Sequence, residues 1–100
     1  MATIEDVKVA AEAAKREREN VKAPLLRVKA ATSKSWALEP KNAAVTAAAE
    51  ARRQSIEAWT AAMDVNTAEA SYFATGARAA AADAETDAMQ AVDVYNTKPD

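Results

Sequence analysis

Apolar positions recur along residues 4–35 in alternating steps of three and four: Ile4, Val7, Ala11, Ala14, Arg18, Val21, Leu25, Val28, then Thr32 and Ser35. That spacing keeps the whole series on one narrow seam of an α-helix. A second series follows the same rule through Val45, Ala49, Arg52, Ile56, Trp59, Met63, Asn66, Ala70 and Phe73. Between the two lies Ser35-Trp36-Ala37-Leu38-Glu39-Pro40-Lys41, the compact break that can reverse the chain. The pattern predicts an all-α protein, a long antiparallel helical hairpin occupying residues 1–100 as one domain. Its helices span about 3–34 and about 40–95, with the turn at 35–39.

Local signals refine that outline. Thr3 is placed to cap the first helix, and Glu5 and Asp6 in the first turn complement its dipole. Pro24 removes the hydrogen bond to the Asn20 carbonyl, which predicts a kink near residues 20–24 in one continuous helix. Pro40 suits the first position of helix two, where its missing N–H costs nothing. Gly76, the only glycine, is the one internal candidate for a break.

Pairing about the turn sets Leu25 against Arg52, Val21 against Ile56, Arg18 against Trp59, Ala14 against Met63 and Ile4 against Phe73. Arg18 over the Trp59 ring is then a cation–π pair, or else both Arg18 and Arg52 snorkel from the seam edge. Residues 77–95 have no partner within the hairpin. They keep the seam phase through Ala77, Ala80, Ala84, Ala91 and Val94, so a continuing helix is favoured over one folded back at Gly76. Asn96-Thr97-Lys98-Pro99-Asp100 reads as a frayed tail.

Composition changes what such a hairpin can do alone. Half the residues are hydrophobic, but most of these are alanine; bulk comes from eight Val, three Leu, two Ile, three Met and five aromatics. Alanine encodes helix strongly, yet burying its methyl contributes only about one CH₂ equivalent. The seam is thin, and a second chain is expected to complete it. A weaker stripe at Ala58, Val65 and Tyr72, with Leu26, Trp36 and Leu38 off the seam, adds exposed apolar surface suited to a partner. Trp59, Met63, Val65, Tyr72 and Phe73 are the expected partner-interface residues.

Charge and chemistry remove several functions. The net charge is −2, with the basic groups gathered in residues 1–35. Glu12, Glu17 and Glu19 interleave with Lys15, Arg16 and Arg18, and no aromatic sits among them to stack on bases, which argues against nucleic-acid binding. Cysteine and histidine are absent, removing thiol chemistry and the commonest acid–base catalyst and metal ligand. Asp83 with Asp87, and Glu50 with Glu57, read as solvated faces, not metal sites. Ser33, Ser35, Ser55 and Ser71 have no base to activate them. No enzyme, cofactor or metal is expected, and no apolar run predicts membrane insertion. Met1-Ala2-Thr3-Ile4-Glu5-Asp6 lacks the basic leader and apolar core of a cleaved signal.

A cysteine-free helical hairpin of about this length, with Trp36 in its turn, resembles the WXG (Trp-Xaa-Gly) family of small type VII secretion substrates. Trp36-Ala37-Leu38 stands at the turn motif, with Leu38 in place of the glycine. Gly76-Ala77-Arg78-Ala79-Ala80-Ala81-Ala82-Asp83 resembles the export segment, with Asp83 in the acidic position and Ala79 where the family has tyrosine. In the other register Tyr72 matches and Gly76 replaces the acid. The resemblance implies Trp36 and Asp83 as export-signal residues, a secretion ATPase as their reader, and homo- or heterodimerisation with another helical hairpin, either itself or a paralogue.

The expected function is therefore non-enzymatic: a helical interaction protein, either secreted without a cleaved signal or cytoplasmic. The alternative is a structural subunit of a larger helical assembly such as a virion or filament. A coat on lipid or polymer granules is disfavoured, because such helices present Leu, Phe and Trp where this seam presents alanine.

Overall fold

The computed structural model describes residues 1–100 as three α-helices and no strand: α1 (Ile4–Ala30), α2 (Lys34–Val65) and α3 (Ala68–Thr97). They run up, down and up as a slim bundle, 51 × 15 × 15 Å along its principal axes. Each helix touches both others. The all-α class stands, but the two-helix hairpin is corrected: the expected second helix is two helices, and its distal part folds back.

α1 starts as its sequence indicates. The Thr3 hydroxyl accepts from the Asp6 N–H, and the Asp6 carboxylate accepts from the Thr3 N–H at 2.9 Å, a reciprocal capping box. The helix passes through buried Pro24 as one element and ends at Ala30, four residues before the expected boundary. The first reversal is Ala31-Thr32-Ser33, not 35–39, which puts Trp36 in the first turn of α2 and Pro40 inside that helix.

The second reversal lies at Asn66-Thr67. Asn66 adopts left-handed backbone, φ 55°, and its N–H closes the last turn of α2 onto the Ala62 carbonyl at 2.8 Å. Thr67 then caps α3, its hydroxyl accepting from the Ala70 N–H at 3.1 Å. Gly76 is not a break; it sits within α3 beside the Lys15 side chain. Asparagine tolerates the left-handed region better than other side chains, and β-branched residues least. Asn66→Val is thus expected to lower stability by about 1–2 kcal/mol, and Asn66→Gly to leave it unchanged or raised. Matching thermal melts for all three proteins would count against a left-handed residue at this turn.

The folding-back has a hydrophobic cause. Ala81, Ala84, Ala88 and Ala91 are buried with Val21, Leu25 and Val28 of α1 and Ala44, Ala47, Ala48 and Ala51 of α2. A continuous second helix would leave that α3 face in water. A middle layer consists of Ala10, Ala11, Ala14, Ala58 and Ala77, and the far end packs Val7 against Ala62, Ala70 and Ala74. Among the buried hydrophobic residues only Val7, Val21, Leu25 and Val28 exceed alanine in size, and all four belong to α1. One helix supplies the bulk, and two alanine-lined helices close around it.

The seam of α1 is where its spacing puts it, and Ala70, Ala77, Ala80, Ala84 and Ala91 of α3 are buried in phase. In α2 the phase is one residue earlier than expected. Ala44, Ala48, Ala51, Ser55, Ala58 and Ala62 face inward, while Val45, Ala49, Arg52, Ile56, Trp59 and Met63 are exposed. Ile56 and Met63, expected inside against Val21 and Ala14, are turned largely to solvent for that reason. α2 must approach α1 and α3 at once, and a methyl permits a close approach that Ile or Trp would prevent.

The C-terminal residues are not frayed. The Pro99 carbonyl accepts from the Lys34 N–H at 2.8 Å, and the Lys98 ammonium donates to the Lys29 carbonyl at 2.9 Å. The tail thereby satisfies a free donor at the start of α2 and a free acceptor at the end of α1.

Candidate interaction surface

The one-residue rotation of α2 creates the most prominent surface feature. Leu38, Val45, Ile56, Trp59 and Met63 are all exposed, and steps of seven, eleven, three and four keep them within one strip of the helix. Ile56 is 56 % exposed and Trp59 48 %. Ile56 and Trp59 of this strip, with Arg52 and Ser55, line one side of a shallow groove whose other side comes from Arg78, Ala81, Ala82 and Glu85 of α3. Met89, also exposed, continues that other side. The Arg52 guanidinium crosses the groove to Glu85 at 3.7 Å.

The remaining expected interface residues, Val65, Tyr72 and Phe73, lie at the bundle end. Tyr72 is exposed and meets the half-buried Phe73 edge-on, with ring centroids 5.6 Å apart at 74°. Phe73 and Val65 pack partly against the Val7 layer, so they serve the core at least as much as any partner. The Lys8 ammonium lies 5.4 Å from the Phe73 ring centre. Ala58, read as part of an outer stripe, is instead fully buried.

The bundle does not bring Trp36 and Asp83 together. Trp36 is 75 % exposed and overhangs a shallow hollow formed by Arg27, Ala30, Ala31 and Thr32 at the α1–α2 turn. Asp83 lies at mid-length of the bundle, accepting from Arg18 Nε at 3.2 Å. Thirteen residues of α1 separate Arg18 from Ala31, roughly 20 Å of helix. The same contact corrects the expected Arg18–Trp59 pairing. Arg18 turns to α3 because a carboxylate is the stronger partner for a guanidinium.

The ionisable groups form local pairs. Arg53 donates to Glu50 and Glu57 on its own helix, occupying the two carboxylates of that spacing. Hydrogen bonds from Arg53, then from Gln54, hold the Glu50 carboxyl at about 2, well below its ordinary value. Lys22, with a smaller contribution from Arg18, lowers Glu19 in the same sense. No group of three acidic residues stands close enough to hold a metal ion, and no helix is long and apolar enough to cross a membrane.

No family model, curated protein or solved structure matches the chain. Its function has to be argued from this surface alone. Twelve of the 27 residues of α1 are charged, against six of the 30 in α3. The α1 side is therefore the well-solvated side, and the α2/α3 side is depleted of charge and carries Ile56, Trp59, Met63 and Met89. Trp, Met and Arg enrichment with few other charges is the composition of protein–protein contact surfaces.

Sequence reasoning named Trp59 and Met63 but assigned them to the inner seam. Ile56, Arg78 and Met89 were not among its interface residues. Reading the alanines, not the bulky residues, as the closely packed seam of α2 would have turned Ile56, Trp59 and Met63 outward.

Proposed function

We propose that this protein is a non-enzymatic interaction module that works by docking the α2/α3 face of its bundle against another helical chain. The observation that carries this reading is the exposed strip through Ile56, Trp59 and Met63, which contributes little to the bundle's own core. A strip of large apolar groups beside a groove is costly in water unless something covers it. A photo-crosslinking residue placed at Ile56 in the source cells should yield a protein adduct of defined mass. The same residue at Glu12, on the charged α1 face, should yield none. Absence of an Ile56 adduct counts against the interaction reading, and a ladder of adducts at successive chain multiples marks the structural-subunit alternative.

A narrower form of this reading makes the chain an exported or export-associated protein similar to the WXG substrates, with Trp36 and Asp83 as its address and a secretion ATPase as their reader. The exposed Trp36 ring supports it, because that ring does no packing work for the core. Trp36→Ala and Asp83→Asn alter exposed positions and should leave the bundle folded. Export of the double variant at the wild-type level would eliminate the narrower form.

A further inference from the structure

Resting on the interaction reading above, we propose that the occupant of the α2/α3 face is a second copy of the same chain, related by a two-fold axis that sets the two α2 helices antiparallel. Four of the strip's five residues pair with one another under that operation, while Trp59 falls opposite Asn42. With the axis passing level with Glu50 and Ala51, Ile56 of one copy stands opposite Val45 of the other, and Met63 opposite Leu38. Arg52 stands over Ala49, a small residue that leaves room for the guanidinium. An isologous contact requires each patch to meet itself reversed in this way.

Charge agrees with the same axis. Ala51 and Ala84 share one core layer, and Arg52 reaches Glu85, so the axis crosses α3 at about Ala84. Reversal about that level brings Arg78 to the stretch between Met89 and Asp93 of the other copy. Direct opposition falls at Gln90, and Asp93 is about 4.5 Å from it along the axis, within the reach of an arginine side chain. Arg78 and Asp93 are both exposed, and neither has an ion-pair partner in its own chain. The two-fold supplies each with one, twice over.

The area also suffices. From Leu38 to Met63 the strip is about 38 Å long, and two adjacent helices of about 10 Å each give the face its width. That footprint is near the roughly 800 Å² per partner typical of a stable complex.

Sedimentation equilibrium of the full chain is expected to return twice the 10.6 kDa chain mass. Ile56→Glu with Met63→Glu should halve it to the chain mass while the helical circular dichroism is kept, since both side chains are exposed in the single bundle. Arg78→Asp alone should weaken association, and Arg78→Asp with Asp93→Arg should restore it. A chain-mass particle at every concentration would overturn the homodimer. If the Ile56 crosslink to a different protein persisted in that case, the interaction reading itself would survive. A wild-type dimer whose charge-swapped double variant fails to recover would overturn the antiparallel geometry, and a mass beyond two chains would overturn the closed two-fold.

Discussion

Removing residues 79–100 is expected to abolish the cooperative fold. The deletion takes away Ala80, Ala81, Ala84, Ala88 and Ala91, each buried, at about 0.8 kcal/mol per lost methyl burial. It also uncovers what those methyls cover: Val21, Leu25 and Val28 would face one alanine-lined helix in place of two. The contacts of Lys98 and Pro99 with the ends of α1 and α2 go as well. A domain of this size has only about 5–15 kcal/mol in hand, and an alanine-built core belongs at the low end of that range. The truncated chain should show reduced helical circular dichroism and a broad, non-cooperative melt. A sharp melt within a few degrees of the full chain would mean that α1 and α2 are a self-sufficient hairpin. For the same reason, trimming this end cannot serve as a test of an export signal, because unfolding and loss of signal would look alike.

Ala51→Leu should destabilise the bundle far more than Ile56→Ala. Ala51 is completely buried in the largest core layer, where α2 closes against alanines of α3. Three added carbons there force the helices apart, at about 1–3 kcal/mol or more. At about 4–8 °C per kcal/mol for a domain of this size, the melting temperature should fall by roughly 10 °C. Ile56 is more than half exposed, and surface changes usually stay within about 0.5 kcal/mol, or a few degrees. A ranking by hydrophobicity along the chain gives the opposite order. Thermal melts of the two variants, at concentrations low enough to keep the chain a monomer, decide between them. A larger loss for Ile56→Ala would mean that the bulky strip, and not the alanine strip, faces inward.

How much of this was legible depends on which helix is considered. In α1 the seam residues are both the largest and the innermost, so spacing alone identified Val7, Val21, Leu25 and Val28. The capping residues Thr3, Glu5 and Asp6 marked its start for reasons local to one turn. In α2 size and burial part company. Ile56, Trp59 and Met63 outrank alanine on any scale of transfer to oil, yet alanines fill the interior because the closest helix contacts admit only methyls. The second reversal was hard to see because its signal is a single Asn-Thr step. The stronger breakers, Pro40 and Gly76, lie inside helices. Pro40 lies in the second turn of α2 without ending it, and Gly76 is helical like its neighbours, with only the flexible Lys15 chain near it. The export-signal candidates were legible as residues, but their separation was not, since it follows from where the first turn falls.

The sequence by itself determined that the chain is helical, where α1 begins, which face of α1 is inward, and that no thiol or imidazole chemistry is available. These properties depend on residue type and on contacts three or four positions apart, which a sequence displays directly. The tertiary structure alone decided that there are three helices and not two, that α2 turns its alanines inward, and that the C-terminal tail binds back to the first turn. Each of those outcomes depends on how closely two helices can approach and on which far segment competes for the same apolar face. Such distances between remote parts of the chain have no periodic signature along it.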